Sequence, residues 1–350
     1  MSDDRRRQLV QQVITDVGGA FVSGLGYIGD RLGLFRLLTD RGPLSSAALA
    51  DAAGLHERYV REWLKAMVSA GYAEHDQARD VYAMTADQAA VLADEGSPVF
   101  AAGAFQFALP SLAFTDRLID CFRHGGGIPY AALGAEIPDA IGRMHRAWFD
   151  YQLTGSWLPA APDVEGRLRH GIGVLDVGCG TGRASVAVGR TYPASQVVGI
   201  DPHVPSIDAA RALAAEAGVT NVSFREVGLE ELAASERFDL ILAIDCIHDM
   251  RDPVGALRII HGALTAQGVV FWSEPSGSDD PAENRNPPGR MRSALSPYHC
   301  LTISLAEGGA GLGTIIGEAG ARALASEAGF ERFERLEVPS PMQQFFLLYR

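Results

Sequence analysis

Residues 174–182, which read VLDVGCGTG, place the strongest limit on the architecture of this chain. An apolar run leads into three glycines at alternate positions, Gly178, Gly180 and Gly182, and a helical pattern follows. Glycine inside a strand or a helix lowers stability, so three of them in five residues require a reason. Either the chain makes a tight turn from a strand into a helix, or the backbone of the loop must lie against a ligand.

From residue 171 onwards, short apolar runs alternate with helical patterns. The apolar runs predict strands: GVLDVG, QVVGID, NVSFREV, FDLILAID and GVVFWSEP, then two last strands near 332–338 and 343–349. Strands that alternate with helices predict the α/β class, with a doubly wound, mostly parallel sheet that ends in an antiparallel strand. Ligands of such sheets bind outside the carboxyl ends of the strands, which is where the glycine loop lies.

The N-terminal part predicts helices and one short hairpin. Residues 4–25 favour a helix that ends in a glycine-rich stretch, and a second helical pattern begins at 26. A short helix follows, then a helix near 56–70, two short strands around a polar turn, and a helix that opens at Thr85. Helix, short helix, helix and hairpin is the order of a winged helix-turn-helix.

These patterns predict three segments. We expect a winged-helix domain over 1–95, a helical linker over 96–165 that forms part of a substrate pocket, and the α/β domain over 166–350. Within the linker, the sequence HGGGIPYA at 124–131 predicts a close approach of two backbones or a hinge, with a plain loop as the alternative.

Composition excludes several classes of protein. No apolar stretch reaches the roughly 18 residues of a membrane span, and the N-terminus is unlike a secretory signal. Four scattered cysteines without a C-x-x-C pair argue against a disulfide framework and a metal site, and favour a cytoplasmic protein. The net charge of −13 repels nucleic acid on average, although a local basic patch can override it.

The glycine loop differs from two known nucleotide-binding loops. Arg183 stands where the dinucleotide fingerprint G-x-G-x-x-G has its third glycine, and the G-K-[ST] of a Walker loop is absent. The pattern here is D-x-G-x-G-x-G, which starts at Asp176. Asp201 ends the second strand, where an acid accepts hydrogen bonds from ribose hydroxyls. The spacing therefore predicts a ligand with a ribose and no pyrophosphate.

With VLDVGCGTG and the acid-ended strand VVGID, residues 171–350 resemble the class I S-adenosylmethionine-dependent methyltransferases. The resemblance implies S-adenosyl-L-methionine as the cofactor. It carries cofactor-binding roles over to Asp176, Gly178, Gly180, Gly182 and Asp201. Many members have an acid after the third strand that contacts the adenine, but Gly228 is nearest to that position here. Adenine recognition then falls to Leu229, Glu230 or the backbone, and Asp245 is expected beside the cofactor.

A winged helix ahead of such a domain resembles the layout of plant-type and bacterial natural-product O-methyltransferases. That resemblance implies a homodimer formed through the winged helix and a small hydrophobic or aromatic substrate. The alternative is a regulator that binds DNA through the helix near 56–70 and senses the cofactor without catalysis. That helix carries a mixture of bases and acids: Arg58, Arg61, Lys65, Glu57 and Glu62. A mixed surface is typical of a solvated face.

His248 and Asp249 follow the fourth strand in the sequence AIDCIHDM. In the plant-type enzymes a His-Asp pair at this place supplies the catalytic base, within a pattern resembling W-x-x-H-D-W. Asp245 and Met250 replace the two tryptophans here, so the match is partial. Imidazole suits a base because its ordinary pKa lies near working pH. Asp245 or Asp249 is expected to orient it; the alternatives are a non-catalytic place in the pocket and a structural cap.

Aromatic or polar side chains near the carboxyl ends of the strands are the candidate substrate contacts. They are Phe107, Tyr130, Trp148, Tyr151, Glu274, Tyr298 and His299. Each is also consistent with core packing, and the acceptor atom stays open between oxygen, nitrogen and carbon.

Overall fold

The computed structural model describes residues 3–134 and 136–350. The elements before residue 148 are α1 (Asp3–Arg31), α2 (Leu34–Arg41), α3 (Ser46–Ala53), α4 (Glu57–Ser69), β1 (Glu74–Asp76), β2 (Val81–Ala83), α5 (Ala86–Leu92), α6 (Gly103–Leu112), α7 (Thr115–His124) and α8 (Glu136–Ala147). A π-helix, Trp148–Trp157, follows.

The later elements are α9 (Pro162–His170), β3 (Gly173–Val177), α10 (Arg183–Thr191), β4 (Gln196–Ile200), α11 (Val204–Glu216), β5 (Val222–Arg225), β6 (Phe238–Ile244), α12 (Pro253–Gly262), β7 (Leu264–Pro275), α13 (Pro287–Leu295), α14 (Cys300–Ala306), α15 (Gly317–Ala328), β8 (Arg332–Leu336) and β9 (Gln343–Tyr349). The chain forms two compact units. The first runs to Ala113 and includes Gly134–Ala147, and the second contains Phe114–Leu133 and Trp148–Arg350.

The first unit has the predicted order of a winged helix-turn-helix. α3 is capped at its start by the Ser45 hydroxyl and ends at Gly54, whose φ of 65° suits glycine. α4 buries the apolar face expected for it, including Trp63 and Met67. β1 and β2 pair as an antiparallel hairpin, and Thr85 forms a capping box with Gln88 at the start of α5.

The prediction of a helix break near residue 25 was wrong. α1 continues to Arg31, and the chain turns at Gly33, which has a φ of 66°. The glycines that favoured a break instead allow close packing. A Cβ added to Gly26 would lie 2.7 Å from the Phe105 ring, and one added to Gly29 would lie 2.5 Å from the Trp63 ring. Tertiary packing therefore outweighs the low helix propensity of glycine.

Within the described part of the second unit, seven strands form one sheet in the order β5-β4-β3-β6-β7-β9-β8. β9 lies antiparallel to both of its neighbours, and the other pairings are parallel. The predicted α/β class, the doubly wound sheet and the antiparallel last strand are confirmed.

Both faces of the sheet are covered, as the nearly continuous apolar strands predict. Leu175 and Val177 of β3 pack on one side with α12 and α15. Val174, which directly precedes Leu175, packs on the other side with α9 and α10. Because helices cover both faces of the sheet, a ligand can reach it only at the ends of the strands.

The sheet order reverses between β3 and β6, since β4 follows β3 on one side and β6 lies on the other. Ligands of doubly wound sheets bind in the crevice at this kind of reversal. Here it brings the loop after β3 beside the loop after β6. The Cys246 thiol, for example, donates to the Val177 carbonyl at 3.4 Å.

The glycine-rich loop at 124–131 makes a close backbone approach, as predicted. A Cβ on Gly127 would lie 1.9 Å from the carbonyl oxygen of Thr302 in α14. The Ile128 amide donates to the Thr302 hydroxyl at 2.7 Å. Only glycine fits this contact, which holds the segment before Tyr130 against α14.

In residues 3–134 and 136–350, no helix is both long enough and apolar enough to cross a membrane.

Candidate functional site

The glycine loop after β3 is a turn that also leaves open space. Gly178, Gly180 and Gly182 have φ values of 65°, 52° and 76°, which L side chains rarely adopt. A Cβ on Gly182 would lie 2.6 Å from the Phe224 ring, so this glycine is required by packing. A Cβ on Gly180 would have no heavy atom of the described residues within 4 Å. Gly180 therefore exposes its backbone on the open side of the loop, as a ligand cradle requires.

Asp201 follows β4 directly and connects to the same loop. Its Oδ2 accepts a hydrogen bond from the Gly180 amide at 3.0 Å, and its Oδ1 accepts one from the His203 amide at 2.8 Å. The carboxylate is half-buried. It thus lies at the edge of the cradle, where both its charge and its spare lone pairs are available to a ligand's hydroxyl groups.

Asp176 lies beneath the loop, within β3. It is 2% exposed, and its Oδ2 accepts from the Ser185 hydroxyl at 2.6 Å. Burial raises the pKa of Asp176 to about 7, against the lowering effect of the bond from Ser185. The contact ties the end of β3 to α10, so the geometry assigns Asp176 to support of the loop.

His248 is held between two carboxylates. Its side chain is 2% exposed. Its Nδ1 lies 2.5 Å from Oε2 of Glu274, and its Nε2 lies 3.3 Å from Oδ1 of Asp249. Burial alone would lower the pKa of the imidazole, but the charges of Asp249 and Glu274 raise it well above its ordinary value. His248 is therefore a stronger base than a free imidazole.

Glu274 supplies an orienting contact that is expected from Asp245 or Asp249. The sequence predicts a substrate contact for Glu274 instead. In the structure it is fully buried at the end of β7, with Oε2 on His248 and Oε1 accepting from Trp272 Nε1 at 2.7 Å. Asp245 has a φ of 57°. One of its carboxylate oxygens lies within 4.8 Å of a ring nitrogen of His248 and of a carboxylate oxygen of Glu274. Asp249 contacts the other imidazole nitrogen.

Tyr130 and His299 lie near the same strand ends. The Tyr130 ring is 5.8 Å from the His203 ring and 6.5 Å from the His299 ring. Burial raises the pKa of Tyr130 to about 12, and the charges of Asp201 and Asp249 add to this effect. Tyr130 is thus close enough to the acid at the cradle and to the acid beside His248 for both charges to act on it.

The remaining expected contacts are dispersed. Phe107 is a buried residue of α6 in the first unit. Trp148 and Tyr151 lie in the π-helix, where Trp148 packs on Trp157 and Tyr151 is largely exposed. The Tyr298 hydroxyl lies 3.2 Å from that of Thr115. Gly228 precedes a short 3-10 helix, and Leu229 within it is buried in the core.

Sequence reasoning missed Cys300, the first residue of α14. A ring nitrogen of His248, a carboxylate oxygen of Asp249 and the sulfur of Cys300 all lie within 4.8 Å of one another. The Thr314 hydroxyl donates to the Cys300 sulfur at 3.0 Å, and burial raises the pKa of the thiol to about 11. Nothing near Cys300 in the sequence predicts this role, because His248 and Asp249 are about fifty residues away.

Two family models match the chain. Residues 168–320 match a methyltransferase domain, and residues 20–94 match the Rv2258c-like winged HTH domain. Together they cover most of the chain and correspond to the two kinds of architecture described above.

Among curated proteins, the ubiquinone biosynthesis O-methyltransferase of Leptothrix cholodnii is 34% identical over 135 residues, which are 38% of this chain and 53% of the relative. The same enzyme of Azorhizobium caulinodans is 41% identical over 104 residues, 29% of this chain and 40% of the relative. The chain thus spans about half the length, or less, of these relatives.

Solved structures match over nearly the whole chain. The mitomycin 7-O-methyltransferase MmcR has a TM-score of 0.76 at 19% identity, with all of both chains covered. Human N-acetylserotonin methyltransferase, solved with SAM, has a TM-score of 0.72 at 19% identity, with 98% of each chain covered. At this identity the likeness shows the fold.

The matched domains, the order of the sheet and the loop at its reversal agree with one another. The chain therefore contains a methyltransferase domain over residues 168–320, preceded by an Rv2258c-like winged HTH domain over residues 20–94.

Proposed function

We propose that this protein transfers a methyl group from S-adenosyl-L-methionine to a hydroxyl group of a small hydrophobic or aromatic metabolite. The observation that carries the proposal is the meeting of two features at the reversal of the sheet. One is the open glycine cradle with Asp201 at its edge, and the other is the buried pair of His248 and Glu274.

The cradle fits the cofactor by its shape and chemistry. The bare Gly180 backbone leaves room for a ligand to lie against the loop, and Asp201 offers carboxylate oxygens to the ribose hydroxyls. Asp176 would support the loop from below, while Gly178 and Gly182 allow its turns. When bound, the cofactor supplies an electrophilic methyl group on a sulfonium sulfur.

The pair formed by His248 and Glu274 supports a hydroxyl group as the methyl acceptor, in preference to an amine or a carbon atom. Glu274 is acceptor-only when ionised, so in the neutral imidazole it holds the proton on Nδ1 of His248 and leaves the lone pair on Nε2. A base of this kind is useful when the acceptor is protonated at working pH, as a hydroxyl is. Ubiquinone biosynthesis O-methyltransferase and mitomycin 7-O-methyltransferase, to which the chain is similar, are O-methyltransferases by name.

In this mechanism the protein contributes position and proton transfer. His248 takes the hydroxyl proton as the oxygen begins to bond to carbon, and the charges of Glu274 and Asp249 stabilise the imidazolium that forms. Burial of the histidine excludes water from the base. In-line displacement requires alignment above all, and orientation alone supplies much of the rate.

Cofactor binding tests this proposal first. We expect S-adenosylhomocysteine to bind and to raise the melting temperature, because a ligand selective for the folded state stabilises it. Asp201→Ala should weaken binding by roughly 1.5–3 kcal/mol, the value of a charge-assisted hydrogen bond, or about 10- to 150-fold in Kd. Calorimetry measures it, with the exposed Asp208→Ala as the matched control. Unchanged affinity in Asp201→Ala would remove this residue from the ribose site.

The structure gives no support to the DNA-binding regulator. The basic residues on α4 are engaged by acids of the same helix: Arg58 with Glu62, Arg61 with Glu57, and Lys65 with Glu62. These contacts neutralise the face that would approach phosphates.

We also propose that the protein is a cytoplasmic homodimer of a natural-product pathway, joined through α1. One face of α1 exposes an apolar stripe, with Val10, Val13, Ile14, Val17 and Phe21 between 52% and 74% exposed. Their spacing places them on one side of the helix. A second copy would cover this stripe, and stable dimers bury roughly 2,000 Å² or more. The four free cysteines fit a reducing compartment.

Charges on the stripe should separate the dimer. Light scattering should give about twice the 37.3 kDa chain mass for the natural protein and a single chain mass for the double variant Val13→Asp, Phe21→Asp. Phe122→Asp is the matched control, because Phe122 is equally exposed on α7, outside this stripe. A natural protein that scatters as one chain across dilution would contradict the dimer.

A further inference from the structure

We propose that His248, Asp249 and Cys300 form a binding site for a divalent transition-metal ion, with Zn²⁺ as the best match. The three side chains come from the loop after β6 and from the start of α14. No feature of the methyl-transfer mechanism uses the Cys300 thiol, so this site goes beyond the proposed function.

The distances suit a small tetrahedral ion. Zinc binds nitrogen, oxygen and sulfur at about 2.0–2.3 Å, which places neighbouring tetrahedral ligand atoms about 3.3–3.8 Å apart. His248 Nε2 and Asp249 Oδ1 are already 3.3 Å apart, and all three ligand atoms lie within 4.8 Å of one another. A small movement of the thiol completes the set.

The chemistry of the donors selects the ion. Imidazole and thiolate favour zinc and its neighbours over Mg²⁺ or Ca²⁺, which prefer oxygen. Asp249 Oδ1 is buried and makes no hydrogen bond within residues 3–134 and 136–350, so a cation would satisfy it. Its side chain is 32% exposed, which leaves a route from solvent.

Outer contacts already orient two of the ligands. Glu274 holds Nδ1 of His248, which is the carboxylate–histidine–metal arrangement that fixes the imidazole and increases its basicity. The Thr314 hydroxyl donates to the Cys300 sulfur. On binding, the thiol proton leaves to solvent and the ion takes the lone pair on Nε2. That lone pair is the one that accepts the proton of the acceptor hydroxyl, so a bound ion switches the transferase off.

Co²⁺ alone is the probe, added to the full-length protein without cofactor or substrate. We expect saturation at one ion per chain, with tetrahedral visible bands and a thiolate-to-cobalt charge-transfer band in the near ultraviolet, and displacement by Zn²⁺. Cys300→Ser should abolish the charge-transfer band, whereas the matched control Cys121→Ser, on α7, should keep it. Asp249→Asn should retain the band and weaken Co²⁺ binding at least about 10-fold.

Absence of a thiolate band in the natural protein, or its persistence in Cys300→Ser, would overturn the site. Loss of the band in Cys121→Ser would do the same, because it would place the thiolate elsewhere. Thermal melting of each variant shows whether it is folded. If Cys300→Ser does not fold, the weaker Co²⁺ binding expected of Asp249→Asn still tests the site. The measurement uses no turnover, so a failure of the methyl-transfer proposal leaves its outcome intact.

Discussion

His248→Ala should bind S-adenosylhomocysteine as tightly as the natural protein while its turnover falls by roughly 10²- to 10⁴-fold. That range is the contribution of a positioned general base. The loss should shrink as the pH rises towards the pKa of the acceptor hydroxyl, since the acceptor then ionises without help. Turnover is measured as methyl transfer from labelled cofactor to phenolic metabolites, and His170→Ala, an exposed histidine on α9, is the matched control.

Glu274→Gln separates a base from a histidine that merely fills space. Oε1 of Glu274 accepts from Trp272 Nε1, so an amide at this position must direct its carbonyl to the tryptophan and its NH₂ to His248. Nδ1 of the imidazole would then accept, and Nε2 would carry the proton. This wrong tautomer should lower turnover by about 10²-fold or more with little change in cofactor affinity. Near-normal turnover in both variants would indicate an acceptor that needs no base, such as an amine.

Asp176→Asn should stabilise the protein fully at alkaline pH, by less than half as much at pH 5, and hardly at all below about pH 4. The pKa of Asp176 is about 7 in the folded protein, against an ordinary value of 3.8 for this carboxyl group. The folded state therefore binds the proton more tightly than the unfolded state. The stability that this provides is fully present below the unfolded pKa and is lost as the pH rises through 7. At about 1.4 kcal/mol per pKa unit, the loss reaches up to about 4 kcal/mol by pH 8.5.

An asparagine keeps an oxygen for the Ser185 hydroxyl and carries no charge to bury. Urea unfolding at pH 5 and pH 8.5 measures the difference between variant and natural protein. Asp208→Asn, an exposed aspartate on α11, should follow the natural protein at both values. Equal stabilities of Asp176→Asn and the natural protein at pH 8.5 would show that Asp176 holds no buried charge there.

Local patterns predicted much of the fold. Most of the strands from β3 to β9 were readable because short, largely apolar runs that are bounded by helical patterns have few other solutions. Gly178 and Gly182 were readable because positive φ values at a strand-to-helix turn favour glycine. The full length of α1 could not be predicted in this way. Its glycines lower the local helix propensity, and close contacts with Phe105 and Trp63 compensate for that loss.

The candidate site divides in the same way. The sequence alone determined the cradle, the acid Asp201 and the presence of a histidine after the fourth strand, because each depends on residues close together in the chain. Only the tertiary structure decided what surrounds that histidine. Glu274 reaches it because β6 and β7 pair in parallel, with Ile244 opposite Ser273, and Cys300 reaches it because α14 begins beside the same strand ends. These contacts join residues 26 and about 50 positions apart. Their proximity follows from strand order and register, which short-range periodicity does not encode.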